Sequence, residues 1–331
     1  MTIKLGVSLY SFQEDYYLGK LNLEECIEKV ANEVGAPGIE LLLEQMPLPS
    51  FPNLSQADLE MWFSWMEKYN TVPTSYGAML FDTLYKNRML TVKEVASIVR
   101  EDLKRAASMG FKVYRTGIIR KEQIDILEQC LSAAEDLGIQ IATEIHAPRG
   151  IRTWWTQDFL EMILRTGTKA AGFVPDLGIF STGLSTPLVK RLVREGGNED
   201  IIRKIDEAYR ANEPLKVEDV KKMGGNEQDL QALRSSENLV YDNPEWLREV
   251  LPYSKHIHGK FYEMTEDYVE ESIDYEGVLK VLKDCNWDGY ISSEYEGQRH
   301  YFDIGCDVYM DPVEQCRRHH VMIKKILEQK N

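Results

Sequence analysis

Short apolar runs alternate along this chain with longer stretches in which apolar residues recur every three or four positions. The runs at 3–10, 38–43, 72–77, 112–116, 139–146, 172–176, 256–261 and 289–294 predict eight strands. They are continuously apolar rather than alternating, as expected for a parallel sheet covered by helices on its outer face. Between them, LEECIEKVANEVG, LEMWFSWMEKYN, VREDLKRAASMG, QIDILEQCLSAAEDLG and YEGVLKVLKDCN carry helical spacing. Each ends at a Gly or Asn suited to a left-handed cap. Eight strands alternating with helices predict a single α/β domain, a (β/α)8 TIM barrel spanning residues 1–331. A doubly wound open sheet is the competing architecture, but no GxGxxG follows the first strand.

One interval departs from the rhythm. From Phe180 to Leu251, roughly 70 residues contain no strand pattern, about twice what a simple return to the sheet needs. The segments TPLVKRLVREGG, NEDIIRKIDEAYRAN, VEDVKKMGGNEQDLQALRSS and NPEWLREVLPYS read as helices. They predict a helical insertion at about 181–250, between strands six and seven, serving as a lid or partner surface or as plain surface decoration.

Composition narrows the class of protein without naming its chemistry. The 331 residues are 43% hydrophobic and 28% charged, the profile of a globular protein with a sizeable core. The net charge of −15 argues against a surface that tracks nucleic-acid phosphates. No stretch approaches the roughly 18 apolar residues of a membrane helix. The start, MTIKLGVSLY, reads as a strand rather than a signal peptide. Five scattered cysteines (Cys26, Cys130, Cys285, Cys306, Cys316) show no CxxC pairing, so a reduced cytoplasmic location is expected.

Chemistry in such barrels gathers where the strands end. Those ends read Glu144 and His146 in ATEIHAP, Asp176 in GFVPDLG, His258 in HIHGK and Glu294 in ISSEYEG. Three carboxylates converging on one mouth repel one another, and a divalent cation relieves that repulsion. A lone strand-end acid is more often an ion pair or a helix cap. Four ligand residues on four strand ends form a set that points to a metal. An oxygen-rich set with one nitrogen suits Mn²⁺ foremost, with Mg²⁺, Co²⁺ or Zn²⁺ also compatible. By the two-residue period, His146 shares a face with Glu144, His256 with His258, and Glu296 with Glu294. Of the second pair His258 lies nearer the mouth; Glu296 falls beyond its strand.

The opening GVSLYSF, GIELLL, Glu144-x-His146, Asp176, HIHGK and GYISSEYEG together resemble the xylose-isomerase-like barrels of the sugar phosphate isomerase/epimerase type. That resemblance implies that Glu144, Asp176, His258 and Glu294 hold one divalent metal that chelates a sugar's carbonyl and neighbouring hydroxyl. The DNA-repair endonuclease branch of these barrels has a histidine three residues after the strand-six Asp. Here Asp176 is followed by Leu177, Gly178 and Ile179, and the second and third strand ends carry no His. His146, the long insertion and HIHGKFYEM resemble more closely the α subunits of C-glycoside deglycosidases. Those enzymes split the carbon–carbon bond between an oxidised (3-keto) sugar and a flavonoid-type aglycone, together with a small β subunit.

Under that resemblance His146 is the expected general base, because an imidazole titrates near neutral pH. The alternative is a ketose 3-epimerase with Glu144 and Glu294 as the acid/base pair. A barrel that binds sugar without catalysis is the alternative of another class. Arg115 and Lys260 are candidates to bind sugar oxygens or an enolate, or else to pair with the acids. Tyr76, Trp154 and Trp155 are candidates to stack on a ring, and His300 to reach the mouth. His319 and His320, in the charged C-terminal helix, read as surface residues.

Overall fold

The computed structural model describes residues 3–303 and 306–329. Eight parallel strands run in the order β6-β5-β4-β3-β2-β1-β8-β7. They are β1 (Lys4–Ser8), β2 (Gly38–Leu41), β3 (Val72–Gly77), β4 (Val113–Thr116), β5 (Gln140–Ile145), β6 (Ala171–Pro175), β7 (His256–Phe261) and β8 (Tyr290–Tyr295). All eight sequence-predicted strands form, with bounds shifted by at most two residues. The five helices that close on Gly or Asn do so through left-handed residues: Gly35, Asn70, Gly110, Gly138 and Asn286 all have positive φ.

The remaining seam, between β6 and β7, carries one backbone bridge among the described residues, Asp176 to His258. Below it the Gln140 amide donates to the carbonyls of Ala171 and Tyr253, both at 3.2 Å. Two candidate metal ligands therefore sit on the bridge that completes the (β/α)8 barrel.

The insertion enters at this seam. Its helices Thr186–Arg194, Glu199–Arg210, Val217–Lys222 and Glu227–Glu237 surround a small apolar core of their own that includes Leu192, Ile202, Val220 and Leu233. The segment thus keeps its shape without drawing on the main core. No helix among the described residues is long and apolar enough to cross a membrane.

Candidate active site

Alternation along β5, β7 and β8, with Asp176 directly after β6, turns four polar side chains into one space at the C-terminal end of the barrel. One ligand atom from each of Glu144, Asp176, His258 and Glu294 lies within 4.8 Å of the others. Asp176 and His258 are fully buried and Glu294 nearly so. The four residues that the sequence nominated as metal ligands are therefore brought together by the fold.

Each is held by neighbours. The Asp176 carboxylate accepts from the Gly178 amide at 2.6 Å and from Lys260 Nζ at 3.0 Å. A Cβ at position 178 would meet Lys260 Cδ at 2.7 Å, so glycine there lets the lysine pass over the turn. Glu144 Oε1 lies 2.7 Å from His258 Nδ1, and Glu144 Oε2 accepts from Arg115 at 3.3 Å. Glu294 Oε2 is buried without a hydrogen bond and lies 3.5 Å from His258 Nδ1. Burial disfavours a charged imidazole, but Glu40, Glu294 and Glu144 outweigh it and hold His258 well above its ordinary range. Burial likewise opposes ionisation of Glu294, yet His258 and Lys260 bring its carboxyl down to about 2. The cluster gathers positive charge around ionised acids. Its three carboxylates, one imidazole and one orphaned buried oxygen fit a divalent ion with oxygen preference.

The residue that sequence reasoning missed is Glu40, in the middle of β2. It is completely buried, with His258 Nε2 at 2.9 Å and His256 Nε2 at 2.7 Å. Burial penalises its charged form, but the two imidazoles hold its carboxyl well below the usual range. Glu40 therefore fixes the His258 ring so that Nδ1 faces Glu144 and Glu294, the carboxylate–histidine arrangement that orients metal-binding imidazoles. The signal was present in GIELLL: a lone carboxylate in a strand buried on both faces must have a partner. Replacing Glu40 with Gln is expected to weaken metal affinity by about 10- to 100-fold. Chelator competition measures this, and an affinity equal to wild type would reduce Glu40 to a structural ion pair.

His146 stands beside the cluster. Its Nδ1 lies 2.5 Å from the Ala147 carbonyl, to which it donates, and Nε2 accepts from Lys260 Nζ at 2.7 Å. The same nitrogen is 3.8 Å from Asp176. Lys260 is buried and also reaches Glu296 at 3.3 Å. Arg115 contacts Glu144 and lies 3.8 Å from Glu40. Both cations are thus ion-paired to the acids.

A cavity of about 320 Å³ opens above these groups. His146, Lys260, Tyr262, Glu296, Arg299 and His300 line its barrel side; Leu184, Leu188, Ser235, Asn238 and Leu239 come from the insertion. His300 reaches the cavity as expected. Glu296 follows β8, as the sequence suggested, and its ion pair with Arg299 at 2.9 Å adds a second unforeseen feature.

Three expectations are corrected. Tyr76 does not face the mouth: it is fully buried, with the Phe111 and Tyr114 rings at 5.7 and 6.2 Å. Its phase on β3 sends it outward into the helical layer, while Ser75 takes the inner face. Trp154 stacks on Trp155 at 4.1 Å beneath the Lys121 ammonium, apart from the residues lining the cavity. His319 and His320 are buried rather than exposed. His319 bridges Ser293 Oγ and Tyr275 Oη at 2.7 and 2.6 Å, and His320 donates to the Gly6 carbonyl at 3.1 Å. Polar partners inside the helix–sheet layer engage both nitrogens of His319 and Nε2 of His320, and burial keeps both rings neutral.

Comparison with known proteins agrees with this geometry. The xylose isomerase-like TIM barrel family model matches residues 28–314. A C-glycoside deglycosidase α subunit from Arthrobacter globiformis is 27% identical, covering 99% of this chain and 93% of that protein. A 3'-dehydrocarminate deglycosidase α subunit from a Microbacterium species is 25% identical, covering 98% and 95%. Among solved structures, D-psicose 3-epimerase from Clostridium cellulolyticum H10 superposes with a TM-score of 0.62 at 12% identity, over 99% of this chain and all of that one. That likeness speaks to the fold alone. Match and architecture together establish that the chain belongs to the xylose isomerase-like TIM barrel family.

Proposed function

We propose that this protein is the catalytic α subunit of a C-glycoside deglycosidase, cleaving the carbon–carbon bond between a 3-keto sugar and an aromatic aglycone. The observation that carries the reading is His146: a histidine outside the ligand set that borders the cavity, with Nδ1 fixed by a backbone carbonyl and the Nε2 lone pair held by Lys260. The full-length likeness to proteins named deglycosidase α subunits supports it.

Glu144, Asp176, His258 and Glu294 would hold one divalent ion, for which Mn²⁺ is the proposed identity. When bound, such an ion supplies Lewis-acid polarisation of the ketone. With the Lys260 ammonium turned from the imidazole to the substrate oxygen, His146 Nε2 takes the proton from the carbon between the ketone and the anomeric centre. The released electron pair becomes an enolate, whose negative charge the ammonium of Lys260 offsets. As the ketone re-forms, a carbon–carbon double bond develops within the sugar ring and the bond from anomeric carbon to aglycone breaks. The aglycone carbon then takes a proton. Returning the proton held on His146 closes the cycle with no net consumption of acid or base.

A small second subunit is proposed as partner, supported by the name "alpha subunit" of the relatives. A cytoplasmic location is proposed on the five unpaired cysteines. The second reading, a ketose 3-epimerase, draws on Glu144 and Glu294 facing one another within the cluster; there the same enolate is reprotonated on its opposite face.

Incubating the protein and the proposed small partner subunit with an oxidised C-glucoside and with free ketoses separates the two. Aglycone release is expected; ketose interconversion without release would overturn the lyase assignment. Exhaustive treatment with EDTA is expected to abolish turnover and lower Tm by on the order of 5 °C, with Mn²⁺ restoring both. A protein that keeps its activity and Tm after chelation would contradict the metal assignment.

A further inference from the structure

The cavity above the acid cluster has two chemically different sides. The barrel contributes His146, Lys260, Glu296 and Arg299, while the insertion contributes Leu184, Leu188 and Leu239 together with the short polar groups of Ser235 and Asn238. The insertion is fastened to the far end of the barrel wall. Arg194 donates to the His300 carbonyl at 2.8 Å and pairs with Asp303 at 2.7 Å; Arg191 donates to the Arg299 carbonyl at 3.3 Å. The leucines are therefore held against the residues that follow β8.

A free ketose carries an oxygen on every carbon and leaves an apolar wall of this kind unmatched. A sugar bearing an aromatic ring on its anomeric carbon matches both sides at once. Its hydroxyls and ketone meet the charged groups, and its flat apolar portion covers the leucines. The volume, about 320 Å³, lies at the lower end of the roughly 300–1,000 Å³ typical of sites for drug-sized ligands.

We infer that the helical insertion is the aglycone-binding wall. Leu188 and Leu239 form an apolar face for a planar aromatic aglycone, Tyr262 and His300 supply rings on the barrel side, and Ser235 and Asn238 offer hydrogen bonds to phenolic or carbonyl edges. The rings of Tyr262 and His300 lie 6.2 Å apart at 48°, a spacing at which aromatic rings pack as a pair. This inference rests on the deglycosidase reading and assigns a role to the one segment that a simple barrel does not need.

The test is equilibrium binding to the full-length, Mn²⁺-loaded chain, with a flavone aglycone as one probe and a ketose as the other. Wild type is expected to bind both. Leu188→Asp and Leu239→Asp should each weaken flavone binding by about ten-fold or more, because a carboxylate would be desolvated beneath the ring, while ketose binding changes less than about two-fold. Thermal unfolding accompanies each variant. If either aspartate unfolds the insertion, the double variant Leu188→Ala and Leu239→Ala serves instead, with an expected several-fold loss for flavone alone. Unchanged flavone affinity in the folded variants, or a wild type that binds ketose but not flavone, overturns the inference. A wild type that binds flavone yet, with the small subunit present, leaves the oxidised C-glucoside intact overturns the reaction assignment and leaves the wall standing.

Discussion

His146→Ala is expected to lower kcat on an oxidised C-glucoside by about 10²- to 10⁴-fold, the range for a positioned general base, with metal content unchanged. The imidazole is suited to the task by its two hydrogen bonds. The Ala147 carbonyl accepts the Nδ1–H hydrogen bond, so the lone pair sits on Nε2, where Lys260 donates to it, and the residue borders the cavity. Removing the ring leaves Lys260 with Asp176 at 3.0 Å and Glu296 at 3.3 Å, so the ammonium remains paired and the fold is not at risk. His146→Gln sharpens the test: the side-chain oxygen can still accept from Lys260 but cannot take a proton. It should be as inactive as the alanine variant, and added imidazole should partly rescue alanine alone. Metal content by mass spectrometry and kcat are the measurements. Loss of metal from His146→Ala would make His146 a ligand, and near-normal kcat would remove it from the mechanism.

The four-ligand set was legible because Glu144, Asp176 and Glu294 are acids at strand ends and His258 stands inside a predicted strand. A charged residue there has no packing role to explain it. The same logic failed at Glu40 for a physical reason. A single acid inside GIELLL gives no positional hint of function, and its partners His256 and His258 lie more than 200 residues away, on a strand separated from β2 by β1 and β8. Tyr76 shows the opposite error. Strand-end position was read without its phase, and a shift of one residue exchanges the barrel interior for the helical layer. His319 and His320 misled because charge along a helix marks its solvated face only when the buried face lacks polar partners. Here Tyr275, Ser293 and the Gly6 carbonyl provide them. The insertion was visible as a gap without strands. That its leucines line the cavity beside Lys260 was not, since the contact depends on how a segment with its own core is fastened to the turn after β8.

Two ligand substitutions, Glu294→Gln and His258→Ala, are expected to have one effect in common and one that differs. Both should eliminate tight metal binding and lower turnover by about 1,000-fold or more, since polarisation of the ketone by a bound ion contributes several kcal/mol at about 1.4 kcal/mol per ten-fold. Glu294→Gln keeps the shape of the side chain and the strand. In EDTA it should unfold within a few degrees of metal-free wild type, and only the increment that Mn²⁺ gives wild type should vanish. His258→Ala removes the cation between Glu40 and Glu144, each within 2.9 Å of the imidazole. Glu40 is completely buried, so its charge would be left with His256 and with Arg115 at 3.8 Å. Breaking a buried pair from one side costs about 3–5 kcal/mol, and His258 also forms the only bridge described between β6 and β7. His258→Ala should therefore melt well below Glu294→Gln under identical metal-free conditions. Restoring an uncharged side chain at the other end, in the double variant His258→Ala and Glu40→Gln, should recover part of that loss without recovering metal. Equal melting of the two single variants would mean that the Glu40–His258 pair does not stabilise the fold. Retention of stoichiometric Mn²⁺ by either would remove that residue from the ligand set.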